Sequence, residues 1–243
     1  AQVEPSVVGL NLVSPEEDAN SLANYDDEMM AMGVLHDFNS NGPGRLPVHF
    51  GLHAGELIPD VLPMTPEGQA ELTYHIRRAI EVAHAKRIGH GVDVLGETEG
   101  AGPNDLLADM AKMGVAVEIC LTSNAQLLGA SGAKHPVKKY MAAGVPVAIA
   151  TDDEGILRID PTHEYVRAVE EQGLTYPEIK KITRMSLEHA FVAGNSLWKT
   201  ADDFTERATE CATDKPESAP SATCESFLKA NDKARLQWKQ EAN

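Results

Sequence analysis

Phe50-Gly51-Leu52-His53-Ala54-Gly55-Glu56 and Arg87-Ile88-Gly89-His90-Gly91 each end a short apolar run on a histidine with glycine close behind. Runs of this length, bounded by glycine, read as buried strands. Reactive side chains at the ends of several such strands are the layout of a (β/α) barrel, whose mouth forms where the loops leave the C-terminal strand ends. Working outward, Thr151-Asp152-Asp153 ends another apolar run, and the strands predicted in all are 7–12, 47–52, 87–90, 115–121 and 145–150. Helical patterns separate them. Residues 25–38 form one, stopped by the breaker run Ser40-Asn41-Gly42-Pro43-Gly44. Thr65 caps a second, with Pro66 at its first position and an apolar stripe of Leu72, Ile76, Ile80 and Ala83. Shorter helices fit 104–113 and 136–143. Asp160-Pro161 opens another, and Thr175 with Glu178 makes a capping box ahead of Ile179, Ile182 and Leu187. Alternation at this pace predicts parallel βα units. The expected fold is α/β, of the (β/α)8 TIM-barrel type, with about five of the eight units present over residues 1–200. From Glu206 onward small and polar residues take over, so 201–243 reads as an extension with a loop at 209–222 and a final helix at 224–240.

Composition narrows the partners. Among 243 residues, 21 Lys and Arg stand against 37 Asp and Glu, a net charge of −16. That balance disfavours nucleic acid, whose binding draws on basic groups that release counterions. No apolar stretch reaches the roughly 20 residues needed to span a bilayer, and the N-terminus has neither a charged n-region nor an apolar h-region. The chain therefore reads as soluble, with no membrane partner and an unspecified oligomeric state. It starts at Ala1, consistent with a processed chain or a fragment. Cys120 falls inside a strand and reads as a buried apolar side chain. Cys211 and Cys224 flank the polar loop: they either close a disulfide, which implies a periplasmic or secreted setting, or stand as two free thiols compatible with the cytoplasm.

The motif residues fit one chemistry. A divalent metal that makes a nucleophile of water near neutral pH needs imidazole and carboxylate ligands, a proton-transfer partner for the water and an acid for the leaving side. His53, Glu56, His90, Asp152 and Asp153 supply these groups from three strand ends. Adjacent carboxylates at Asp152 and Asp153 repel each other, a cost relieved when a cation binds one and a ligand engages the other. Ser123 and Asn124, after the fourth strand, suit a turn nearly as well as a ligand contact. The remaining histidines, among them His36, His75, His84 and His135, read as structural or solvent-facing.

In combination, Val-Val-Gly-Leu-Asn-Leu (7–12), Leu-His-Ala-Gly-Glu-Leu (52–57), Arg-Ile-Gly-His-Gly-Val-Asp (87–93), Val-Glu-Ile-Cys-Leu-Thr-Ser-Asn (117–124) and Ala-Thr-Asp-Asp-Glu-Gly (150–155) resemble the adenosine deaminase family of metal-dependent hydrolases. The resemblance runs from about residue 7 to residue 198. It implies a Zn2+ cofactor held by His53 and Asp152, and hydrolytic deamination of adenosine or deoxyadenosine to the inosine product by zinc-activated hydroxide. Residue by residue, it implies that His90 takes the water proton, that Glu56 protonates purine N1, that Asp153 hydrogen-bonds N7, and that Gly55 and Ser14 border the purine nucleoside. The chain lacks the His-x-Glu and Pro-Cys-x-x-Cys signature of cytidine-type zinc deaminases.

Three features depart from the family pattern. No His-x-His occurs in the chain, whereas the family carries one at the end of its first barrel strand and draws two zinc ligands from it. Glu154 stands where many relatives have proline, and Ser14 where some have glycine. The five strands resemble the family's fourth to eighth. The expectation is a C-terminal part of a longer enzyme, inactive or poorly folded alone, with edges and half of a barrel interior exposed. A second functional class follows from the same departure: a non-catalytic nucleoside-binding or interaction relative without a complete zinc site.

Overall fold

The computed structural model describes residues 7–40, 48–100 and 105–243. The breaker residues 41–44, the first residue of the strand expected at 47 and that of the helix expected at 104 lie outside the described residues. Five parallel strands, β1 (Gly9–Leu10), β2 (His49–Ala54), β3 (Arg87–His90), β4 (Ala116–Ile119) and β5 (Val147–Ile149), form one sheet in the order β1-β2-β3-β4-β5. This is the expected α/β architecture, a part-barrel of consecutive units. The register pairs His53 with Gly89 and Ala54 with His90, which brings the two histidine motifs to one end of the sheet.

Burial explains why the strands form. Phe50, Leu52, Ile88, Val117 and Ile119 are fully enclosed, each contributing roughly 1.5–3 kcal/mol relative to exposure. β1 is shorter than the expected 7–12 because it is an edge. Val7, Val8, Leu10, Leu12 and Val13 face solvent, Val13 at 65% exposure, so little apolar burial extends the ladder.

The helices are α1 (Ala19–Ser40), α2 (Pro66–Ala70), α3 (His75–Glu81), α4 (Val94–Gly100), α5 (Leu106–Met113), α6 (Leu121–Leu128), α7 (Val137–Ala143), α8 (Glu154–Leu157), α9 (Pro161–Glu170), α10 (Tyr176–Glu188), α11 (Ala222–Ala230) and α12 (Asp232–Ala242). Asp160 caps α9 by accepting from the His163 amide, and Thr175 with Glu178 forms the capping box of α10. The helix expected to run from Thr65 through Ala83 is instead broken between α2 and α3, at Tyr74. The reason is tertiary. The buried Glu97 carboxylate accepts from the Ile76 and Arg77 amides at 2.5 and 2.8 Å, giving α3 an N-terminus of its own. Likewise, the single final helix expected at 224–240 is two. Asn231 accepts from the Asn195 amide and donates to the Phe227 carbonyl, and its extended backbone ends α11.

The chain divides into two compact units, Ala1–Leu174 and Thr175–Asn243. The compositional boundary near residue 200 falls inside the second, because Leu197 shares a core with Cys211, Cys224, Leu228, Ala234 and Trp238. Cys211 and Cys224 are joined as a disulfide and Cys120 is a buried free thiol. Among the described residues, no helix is long and apolar enough to cross a membrane.

One buried acid pair makes a measurable demand on the first unit. Both carboxyl oxygens of Asp93 are buried without a hydrogen-bond partner among the described residues. Burial, then Glu97 and Glu16, push the Asp93 carboxyl well above its ordinary range, and burial lifts Glu97 to about 7 against the two amide bonds it accepts. A carboxyl raised in the folded state holds its proton where the unfolded chain has released it, so stability is full below the unfolded pKa and falls as pH rises through the folded one. Urea melts followed by circular dichroism are expected to show this fall between pH 5 and 8. Asp93→Asn is expected to reduce it by on the order of 1 kcal/mol, and an identical pH dependence in the variant would count against the assignment.

Candidate active site

Four strand ends furnish the site. β2 delivers His53 and, beyond it, Glu56; β3 ends at His90; α6 starts directly after β4 and carries Ser123 and Asn124 in its first turn; Asp152 follows β5. α6 has no capping side chain of its own. Instead both oxygens of the fully buried Glu164, from α9, accept from the Thr122 amide at 3.2 Å, a negative charge where the helix dipole favours one. His90 and Asp152 both adopt the left-handed backbone, with φ of 69° and 56°. Such strain in non-glycine residues persists only where the surroundings impose it, and it clusters at functional sites.

The side chains converge. Candidate ligand atoms of His53, Glu56 and His90 all lie within 4.8 Å of one another. Glu56 Oε2 is 3.7 Å from His53 Nε2, and Glu56 Oε1 is 3.2 Å from His90 Nδ1. The Asn124 amide donates to Glu56 Oε1 at 3.1 Å and approaches His90 Nδ1 at 3.0 Å. Asp152 joins through Ser123, whose hydroxyl donates to Asp152 Oδ2 at 2.7 Å and lies 3.4 Å from Glu56 Oε1. Ser123 and Asn124, weak in the sequence, thus connect the motif residues. Ser14 bonds the Ser21 hydroxyl and lines a narrow cavity with His53. Asp153 is exposed and stands just before α8, its side chain making no capping bond to the helix.

Three partners carry no local sequence signal. The buried Glu16 accepts from the Gly55 and Glu56 amides at 2.8 and 2.7 Å, which fixes the turn holding Glu56. Gly55 sits at φ 79°, and a Cβ there would strike Asp93 and Ile76, so only glycine fits the turn. Glu16 also pairs with His75 Nδ1, at 2.6 Å, a histidine the sequence leaves as structural. His135, also buried, accepts from the Val137 amide at Nδ1 and so donates from Nε2 to Asn124 Oδ1, which sets the direction of the Asn124 amide.

The electrostatics differ at each group. Burial raises the Glu56 carboxyl to about 7, with His53 opposing and Asp152 and Glu16 reinforcing, so near neutrality about half of it carries a proton. Burial, aided by His53, pushes His90 down to about 4, and burial takes His135 to about 4; both rings are neutral. Burial works against charge on His53 as well, but Glu16 at 3.3 Å outweighs it and holds that imidazole above its ordinary range. Glu16, despite burial, is held far below the usual carboxylate range by His53 and His75. A proton-bearing acid, a neutral imidazole and a second imidazole within one cluster can move protons to and from a bound molecule. His53 Nε2 is buried 3.3 Å from Glu16 Oε2 and 3.7 Å from Glu56 Oε2, so a metal bound there would take the place of the proton these carboxylates favour.

The family model described as Adenosine deaminase matches residues 6–206. The chain belongs to the adenosine deaminase family. It is 34% identical over 168 residues to the adenosine deaminase of Escherichia coli, covering 69% of this chain and 45% of that protein. To the adenosine deaminase of Serratia proteamaculans it is 37% identical over 127 residues, 52% of this chain and 36% of that one. The chain thus spans less than half the length of these two relatives. In fold it resembles an adenine deaminase of Arthrobacter aurescens, with TM-score 0.55 at 19% identity over 76% of this chain and 48% of the other. The span matched to the adenosine deaminase family takes in all five strands and every motif residue, and stops short of the disulfide and of α11 and α12.

Proposed function

We propose that this chain carries the acid and base groups of a zinc-dependent aminohydrolase that converts adenosine or deoxyadenosine to the inosine product. The observation that carries the reading is Glu56, an acid whose carboxyl burial raises to about 7, set between His53, His90 and Asn124 at the strand ends. His53 and Asp152 would hold the metal, His53 giving up the proton that Glu16 favours; an imidazole nitrogen and a carboxylate are donors suited to zinc. Zinc, when bound, supplies a Lewis acid that makes water nucleophilic near neutrality.

The residues divide the proton transfers. Glu56 donates from Oε2 to purine N1, so the ring accepts electrons as water adds at C6. His90 takes the water proton; its Nδ1 lies 3.0 Å from the donating Asn124 amide nitrogen and 3.2 Å from Glu56 Oε1. Asp153 bonds purine N7, while Gly55 and Ser14 border the ring.

The second reading, a nucleoside-binding relative without catalysis, is favoured by one observation: His53 and Asp152 fall short of the three protein ligands that catalytic zinc takes, and the chain has no His-x-His. Ammonia release separates the two. Supplied with zinc and with the His-x-His ligands that this sequence lacks, the site is expected to deaminate adenosine or deoxyadenosine; purine binding without ammonia release, from any 6-aminopurine nucleoside tested, would favour the second reading.

A further inference from the structure

At the opposite rim, where the strands begin, the geometry points to a second divalent-metal site formed by His36, Asp37 and His84, which takes a late transition metal such as zinc and ties α1 to the turn before β3. The three residues offer ligand atoms all within 4.8 Å of one another. His36 Nδ1 lies 3.2 Å and His84 Nε2 3.9 Å from Asp37 Oδ1, and the two imidazole rings are 4.5 Å apart. Zinc held at roughly 2.0–2.2 Å from each ligand puts neighbouring ligand atoms about 3–3.5 Å apart, so small side-chain adjustments close the set.

Two further features place these groups together. Gly33, one helical turn before His36 and Asp37, packs so tightly that a Cβ would overlap the Val82 carbonyl oxygen. That close approach sets the following turn of α1 against residues 82–84. His84 itself occupies the left-handed backbone, with φ 61°, at the end of α3 where glycine or asparagine is the usual choice. A histidine there carries a backbone cost that glycine would not, and the imidazole is what that position retains in exchange. Two imidazoles and one carboxylate favour zinc, copper or nickel over calcium or magnesium, which take all-oxygen shells. The strand-start rim of a barrel carries stability rather than catalysis, so the metal's expected role is to hold α1 against the sheet. None of this rests on the reading of the mouth.

The test uses the full chain, stripped of metal and carrying His53→Ala, which removes an imidazole from the mouth cluster. Calorimetric titration with zinc chloride is expected to show a binding event that a further His84→Gly weakens by at least about tenfold, since even outer-shell changes at metal sites cost that much. Glycine suits the backbone at 84, so His84→Gly is expected to melt no lower than its parent without zinc, and to lose the rise in melting temperature that zinc gives the parent. Zinc affinity unchanged by His84→Gly, or an equal response to calcium chloride, overturns the site. If His53→Ala does not fold, the comparison moves to the otherwise unaltered chain and the imidazole Cε1–H NMR signals of His36 and His84. Both signals shifting or broadening with zinc supports the site, and both staying in place with zinc in excess overturns it.

Discussion

Glu56→Gln is expected to lower ammonia release from adenosine by about 10²- to 10⁴-fold, the usual contribution of a positioned proton donor, while zinc content stays unchanged. Glutamine keeps the size of the side chain and an oxygen to accept from the Asn124 amide, so the turn fixed by Glu16 has no reason to move. What it removes is the transferable proton. The same carboxyl predicts the pH profile. With its pKa raised to about 7 by burial, the acid form declines above that value, so the rate is expected to fall on the alkaline side. A cation beside His53 draws the limb lower, because nearby positive charge favours the carboxylate. The variant should lose this limb along with its activity. Near-normal turnover in Glu56→Gln, with zinc retained, would remove Glu56 from the chemistry.

The sheet was legible because each inner strand is a short run that carries apolar residues and ends at or just before chemically distinctive ones. His53, His90 and Asp152 mark the ends of β2, β3 and the segment after β5, and the parallel register alone brings the first two together. β1 was overestimated because its apolar residues lie at an edge, a fact that depends on neighbours and not on sequence period. The helices that were misread share one cause. α2 and α3 separate because a carboxylate 21 residues away, Glu97, caps Ile76, and α11 and α12 because Asn231 is drawn to the Asn195 amide. Each is a long-range bond overriding a local propensity. Glu16 escaped for the same reason. In Ser14-Pro15-Glu16-Glu17 it looks like a solvated acidic pair, and only the fold buries it against the Gly55 and Glu56 amides. His135 is distant in kind as well: its role is to aim another side chain, Asn124, and a residue that acts through a neighbour leaves no motif of its own.

Replacing both Cys211 and Cys224 with alanine is expected to lower the stability of the second unit by about 3 kcal/mol, the chain-entropy value for a loop of this size, here 13 residues in sequence separation. Both half-cystines are fully buried in the core formed with Leu197, Leu228, Ala234 and Trp238, and the unit spans only residues 175–243, a size at which an apolar core alone gives a small margin. Alanine leaves no buried thiol and removes little apolar surface, so the loss is chiefly that of the cross-link. The measurement is selective. The chain has two tryptophans, Trp198 and Trp238, and both lie in the second unit, so tryptophan fluorescence during urea unfolding reports that unit while circular dichroism follows the whole chain. The fluorescence midpoint is expected to fall in the double variant and, by the same logic, in the wild-type chain under a reductant. A fluorescence midpoint that neither change moves would mean that the α10 to α12 core sustains the unit unaided.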